Sequence, residues 1–141
     1  MENKKYVFED DVIFETDHFV VGQDWEVPIC GFFIVATKRK IRSFMEFTDK
    51  ESVEFMDVLR KVRKCMQKEL DIDDVYMFQN EDTVHGFHLW MFPRLEWMEK
   101  FGRKIESVRP IMEYAEKNMM TGGQIEKVKR VAEGVRKALM K

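Results

Sequence analysis

Apolar positions recur along this chain with two different periods. Val12 to Glu15 and Phe19 to Gly22 are short runs rich in β-branched and aromatic residues, separated by Thr16, Asp17 and His18; they predict a hairpin. Trp25 to Cys30 contains Pro28 and reads as a loop, and Gly31 to Thr37 (GFFIVAT) as a strand buried on both faces, halted by the charges of Lys38 to Lys40. The period then changes. Thr48-Asp-Lys-Glu51 has the spacing of a capping box, in which hydroxyl and carboxylate satisfy each other's backbone N–H groups. Behind it Val53, Met56, Leu59, Val62, Cys65 or Met66, and Leu70 recur at steps of three and four, predicting an amphipathic helix of about five turns. Its other side carries Arg60, Lys61, Arg63, Lys64 and Lys68, read as a solvated face.

Val75 to Phe78 predicts another strand, Gln79 to Asp82 a polar turn, and Val84 to Phe92 a strand ended by Pro93. From Arg103 the pattern is helical. Pro110 is placed near one helix start, Thr121 to Gln124 forms a second candidate capping box, and Ile125, Val128, Val131, Val135 and Leu139 mark the buried side of the last helix. Strands first, one long helix between them and helices last predict an α+β fold, organised as a body over residues 1–102 and a helical extension over 103–141 packed on the same domain.

Charge and cysteine content narrow the function classes. The formal charge of -2 argues against a surface for duplex nucleic acid, although it is uneven: residues 1–102 hold 14 basic and 21 acidic side chains, residues 103–141 hold 10 and 5. Cys30 and Cys65 stand far apart without a CxxC spacing, which excludes a disulfide scaffold and a cysteine-rich zinc site. The charged N-terminus lacks an apolar signal-peptide core, and no apolar stretch reaches membrane-spanning length; the expectation is a cytoplasmic protein.

Only three histidines are available for chemistry near neutral pH. His18, in the hairpin beside Asp17, reads as structural. On an extended strand His85 and His88 fall on opposite faces, unless a bulge at Gly86 swings His85 across. A metal held by His-x-x-His needs a turn and further ligands, which the chain does not supply, so no metal is expected. There is no Gly-x-Ser-x-Gly elbow and no glycine-rich phosphate loop.

The segment Gly86-Phe-His-Leu-Trp-Met-Phe-Pro-Arg94 resembles the signature strand of the histidine triad (HIT) family, in which three histidines alternate with apolar residues before Pro-Arg. Counted back from Pro93-Arg94, His88 takes the middle position, Gly86 replaces the first histidine and Trp90 the third. Upstream, Asp24 to Arg39 (DWEVPICGFFIVATKR) is similar to the family's turn and strand, with Phe32 and Thr37 in place of its usual His and Pro, and the helix capped at Thr48 follows in the family's order. The likeness spans roughly residues 10 to 98.

The resemblance implies an antiparallel sheet of about five strands with the long helix across one face, usually paired as a homodimer. It implies a nucleotide hydrolase or nucleotidyl transferase in which a histidine attacks the α-phosphorus of a dinucleoside polyphosphate or other nucleotidyl compound, with no cofactor and any Mg²⁺ carried by the substrate's phosphates. His88 would be the nucleophile, with His85 in support. Asp24 would bind the ribose, and Gln79 or Asn80 and Thr83 the phosphates. For Trp90 packing is favoured over a nucleobase contact, and Arg94 reads as a surface or dimer-edge residue. Two other readings stay open: a nucleotide-binding relative with impaired chemistry, and an interaction module using the fold and its basic tail.

Overall fold

The computed structural model describes residue 8 and residues 11–141; the remaining N-terminal positions, and the charged leader read from them, lie outside the described residues. Five strands, β1 (Val12–Glu15), β2 (Phe19–Gln23), β3 (Phe33–Thr37), β4 (Val75–Phe78) and β5 (His88–Pro93), form one antiparallel sheet in the order β1-β2-β3-β5-β4. Three helices, α1 (Asp49–Leu70), α2 (Val108–Asn118) and α3 (Gly122–Leu139), cover it. The α+β class and its five-stranded sheet are those read from the sequence.

The period of two sorts each strand between two cores. Ile13, Phe19, Val21, Phe33, Val35 and Met91 pack against Val58, Val62 and Met66 of α1 and Ala132, Val135 and Leu139 of α3. On the other side Phe92, Trp90, Tyr76 and Phe78 join Val27, Ile29, Phe32, Met98 and the α2 residues Val108, Ile111 and Ala115. The second cover stops short: over β2 and β3 the sheet face carrying Val20, Gly22, Ile34 and Ala36 lines a cavity instead.

α1 opens as the capping box requires. Thr48 Oγ1 accepts from Glu51 N at 3.1 Å and Glu51 Oε1 accepts from Thr48 N at 2.8 Å. The same carboxylate, 2% exposed, receives Arg39 Nε at 2.9 Å and Arg39 Nη2 at 2.8 Å, which ties the end of β3 to the start of the helix. That guanidinium and the Thr48 N–H hold the Glu51 carboxyl at a pKa of about 2.

Several boundaries differ from expectation. α1 is 22 residues long, about six turns, and Val53 and Met56 are exposed. The helix is rotated so that Phe55 enters an aromatic cluster with Phe19, Phe47 and Phe87, in which ring centroids lie 5.2 to 5.6 Å apart. β3 begins at Phe33 because Gly31 turns the chain at φ 78°, where a Cβ would lie 2.9 Å from Ile72 Cδ1. Only half of the second capping box forms: Thr121 Oγ1 accepts from Gln124 N, while the Gln124 side chain donates to the Pro28 carbonyl at 2.9 Å and pins α3 to the 25–31 loop. Arg94 is no surface residue. It is 7% exposed and donates to Ser107 Oγ, Met98 O and Gly102 O, bracing a turn of 3₁₀ helix over Glu96–Phe101 that the pattern did not predict.

Candidate functional site

β5 starts at His88, four residues later than the apolar run suggested, because Gly86 leaves the extended region at φ 82°. A side chain there would also be strained by proximity, since a Cβ would stand 3.1 Å from the Ile41 carbonyl oxygen. Thr83 stabilises the same turn: its Oγ1 accepts from His85 N at 3.3 Å. Residues 83–87 are therefore a loop, and the period-two argument that separated His85 from His88 does not apply to them. The two imidazole centroids are 6.1 Å apart.

His88 pairs across the sheet with Ala36 and faces away from α1. Trp25 crosses its ring edge-on at a centroid distance of 5.5 Å and that of His85 at 6.3 Å; Trp90 lies 6.3 Å from His88 on the other side and stacks on Phe78 at 5.6 Å. His88 is half-buried among these rings, whereas His85 is exposed. Burial pushes the His88 pKa below the ordinary imidazole value; contact with the Gly86 carbonyl opposes the shift and His85 adds to it. His88 Nδ1 lies 3.1 Å from Gly86 O. A carbonyl only accepts, so this contact assigns the proton to Nδ1 and leaves Nε2 as the lone-pair nitrogen. The contact fixes the tautomer and burial favours the neutral ring, the form in which an imidazole can act as a nucleophile.

The other residues expected at the site are placed less uniformly. Asp24 is not presented to solvent: it is 2% exposed and its Oδ2 accepts from Glu26 N at 3.1 Å and Val27 N at 3.0 Å, closing an Asx-type turn. That turn sets Trp25 over His88. The Gln79 amide donates to Arg42 O at 3.4 Å and Asn80 O at 2.8 Å, toward the 40–46 loop, and Asn80 is exposed; no hydrogen bond joins either residue to His88. Trp90 stacks on Phe78. His18 is held by Glu54, Nδ1 to Oε1 at 2.8 Å, on the helical side of the hairpin and apart from the cluster. Among the described residues no group of three or more His, Cys, Asp and Glu is arranged to hold a metal ion, and no helix is long and apolar enough to cross a membrane.

Trp25 is the site residue that pattern reading missed. Its signal was an indole in a loop directly after Asp24, where a large apolar side chain has no periodic reason to be. A cavity of about 150 Å³ opens beside it, lined by Trp25, His88, Val20, Gly22, Ile34 and Ala36 among others, with the buried Phe8 on its wall. Two larger grooves flank the cluster. One, about 680 Å³, runs between the 26–27 loop, Phe78 and α2; the other, about 710 Å³, lies along Lys40 to Glu46 and residues 83–86.

No protein-family model and no curated protein matches the chain. Solved structures do. A histidine triad nucleotide-binding protein described as hypothetical, from Sulfolobus tokodaii, superposes with a TM-score of 0.64 at 15% identity, over 94% of this chain and 87% of that one. A HIT-like protein involved in cell-cycle regulation from Bartonella henselae gives 0.61 at 14% identity, over 91% and 88%. The diadenosine triphosphate hydrolase of Plasmodium falciparum, in complex with cyclomarin A, gives 0.60 at 13% identity, over 99% and 87%. The chain has the histidine-triad fold.

Proposed function

We propose that this protein is a histidine-triad protein that binds nucleotides and cleaves a dinucleoside polyphosphate or related nucleotidyl compound at its α-phosphate, with His88 as the nucleophile. The observation that carries the reading is the His88 Nδ1 contact with the Gly86 carbonyl, because it leaves the lone pair on Nε2, on a ring whose neutral form burial favours. In the first step Nε2 bonds to the α-phosphorus and the bond from phosphorus to the bridging oxygen breaks, the leaving phosphate taking the electron pair. Water then attacks the nucleotidyl-histidine, releasing the nucleoside monophosphate and returning Nε2. His85, exposed and 6.1 Å away, is the titratable group that can exchange protons with the leaving oxygen and the incoming water. Asp24 serves by fixing the turn that presents Trp25, and Thr83 by holding the 83–86 loop. Any Mg²⁺ enters with the substrate's phosphates, and the working form is a homodimer in the cytoplasm.

A second reading is favoured by Trp90. Where the resemblance places a third histidine, the indole stacks on Phe78 and supplies no proton at the phosphoryl group. A nucleotide-binding protein without turnover is consistent with that substitution.

One experiment separates the two. The protein is incubated with diadenosine tetraphosphate and with adenosine phosphoramidate; products are followed, and intact mass is used to find an AMP adduct. Turnover or an adduct at His88, abolished in His88→Ala while nucleotide affinity persists, supports the hydrolase. Binding without either supports the second reading, and turnover retained in His88→Ala refutes the assignment.

A further inference from the structure

The two grooves beside His88 carry opposite charge. On the α2 side, Glu26, Glu106, Glu113 and Glu116 line an apolar floor of Val27, Phe78 and Met112, with Arg109 as the single cation. It begins just beyond the aromatic cluster, since Glu26 follows Trp25 and Phe78 stacks on Trp90. On the opposite side Lys40 and Arg42 line a groove whose only carboxylate is Glu46, and one oxygen of Glu46 already accepts from the backbone N–H groups of Arg42 and Ser43. Neither Lys40 nor Arg42 has an acidic partner within ion-pair distance among the described residues, although neighbouring Arg39 is paired with Glu51. The same groove exposes apolar side chains, Met45 at 76% and Val84 at 84%.

An anionic chain leaving the His88 centre toward α2 would meet the carboxylates of Glu106, Glu113 and Glu116; toward residues 40–46 it meets Lys40 and Arg42, neither of them ion-paired among the described residues, the Thr83 side and a pair of exposed apolar contacts. Cations beside exposed apolar side chains fit a phosphate chain that ends in a nucleobase, because the base supplies a flat apolar surface next to its charge.

Resting on the reading of His88 given above, we propose that the groove of Lys40, Arg42, Met45 and Val84 holds the leaving half of the substrate, a nucleoside with its short polyphosphate chain. The protein thereby prefers dinucleoside polyphosphates over phosphoramidates, whose leaving group carries no phosphate.

Calorimetric titration tests this in the full chain, in a His88→Ala background so that nothing is consumed, with AMP, inorganic tripolyphosphate and diadenosine tetraphosphate as probes. The variant Lys40→Glu/Arg42→Glu changes exposed side chains and is checked for an unchanged melting temperature; the milder Lys40→Ala/Arg42→Ala replaces it if the melting temperature moves. The expected result is at least a tenfold loss of affinity for tripolyphosphate and diadenosine tetraphosphate with AMP affinity within twofold, and a smaller loss for the dinucleotide alone in Met45→Asp. Unchanged tripolyphosphate affinity in the charge variant, or an equal loss for AMP, overturns the groove assignment. A parent that binds AMP but not tripolyphosphate also overturns it and leaves the nucleotide reading standing. A parent that binds tripolyphosphate but not AMP keeps the groove and overturns the nucleotide reading; binding neither overturns both.

Discussion

Gly86 joins the stability of this fold to the geometry of His88, the proposed nucleophile, and replacing it with alanine separates two costs. At φ 82° an L side chain is strained by about 1–2 kcal/mol. The new Cβ would also stand 3.1 Å from the Ile41 carbonyl oxygen, a backbone atom that must shift, for about a further 1 kcal/mol. Loss of freedom in the unfolded chain returns about 0.4–1 kcal/mol, so Gly86→Ala destabilises by roughly 1–3 kcal/mol. With an unfolding entropy of about 2.1 cal/mol/K per residue, each kcal/mol lowers the melting temperature of a chain this long by about 3 °C, and the expected drop is about 3–9 °C. Gly102 has the same φ of 82° but a ψ of -170°, a region that glycine alone adopts readily, and nothing lies within 4 Å of its Cβ position; Gly102→Ala therefore carries backbone strain of about 1–3 kcal/mol without a close contact. Differential scanning calorimetry measures both variants against the parent. If Gly86→Ala melts at the parent's temperature, neither the strain nor the Ile41 contact holds, and the argument that close approach fixes the 83–87 loop fails.

Two further outcomes are expected. Glu51→Gln removes a buried charge that accepts from Arg39 and Thr48 N and lowers stability at neutral pH by about 2–3 kcal/mol. The folded pKa of about 2 lies below the ordinary carboxylate value of 4.5, so this stabilisation is complete above that value and is lost as pH falls from there toward 2; acid unfolding followed by circular dichroism should be less steep in the variant over that window. His88 titrates below the ordinary imidazole value because it is buried, and Trp25→Ala, by uncovering the ring, raises its pKa toward that value; an NMR titration of the His88 ring proton that does not move between the two proteins would contradict the placement of Trp25.

The class of fold was legible because its elements carry clean periods. The hairpin, the capped helix and the β4 strand are each announced by residues whose local chemistry agrees with the tertiary structure. Where reading failed, tertiary contacts overruled a local signal. Val84 to Phe87 looks like strand, but Gly86 is packed against Ile41 and turned out of the extended region. Val53 and Met56 keep helical spacing yet face solvent, since the aromatic cluster around Phe55 sets the rotation of α1. Arg94 reads as a surface or dimer-edge charge because its acceptors, the carbonyls of Met98 and Gly102 and the Ser107 hydroxyl, are brought to it only by a turn with no periodic signature. At the candidate site His88 is singled out only by the resemblance of Gly86 to Arg94 to the histidine triad signature, since periodicity alone sets it on the face opposite His85. Trp25, which arrives from a loop 63 positions earlier in the chain, carries no such signature.

The order of the sheet also bears on when this site comes into being. β5, which carries His88, is the last strand made and yet lies inside the sheet, between β3 and β4. Hairpin β1-β2 and its extension to β3 can pair as they emerge, because the segments joining them are short. The pairing of Ala36 with His88 must instead wait for α1, β4 and the 79–87 loop to be synthesised and then close a long loop, the slow kind of contact. Trp25 and His88 thus meet only at the final act of sheet assembly, so in a half-made or partly unfolded chain the His88 imidazole is without its aromatic cover. In a refolding experiment the NMR signature of a shielded His88 would mark completion of the sheet rather than collapse of the chain.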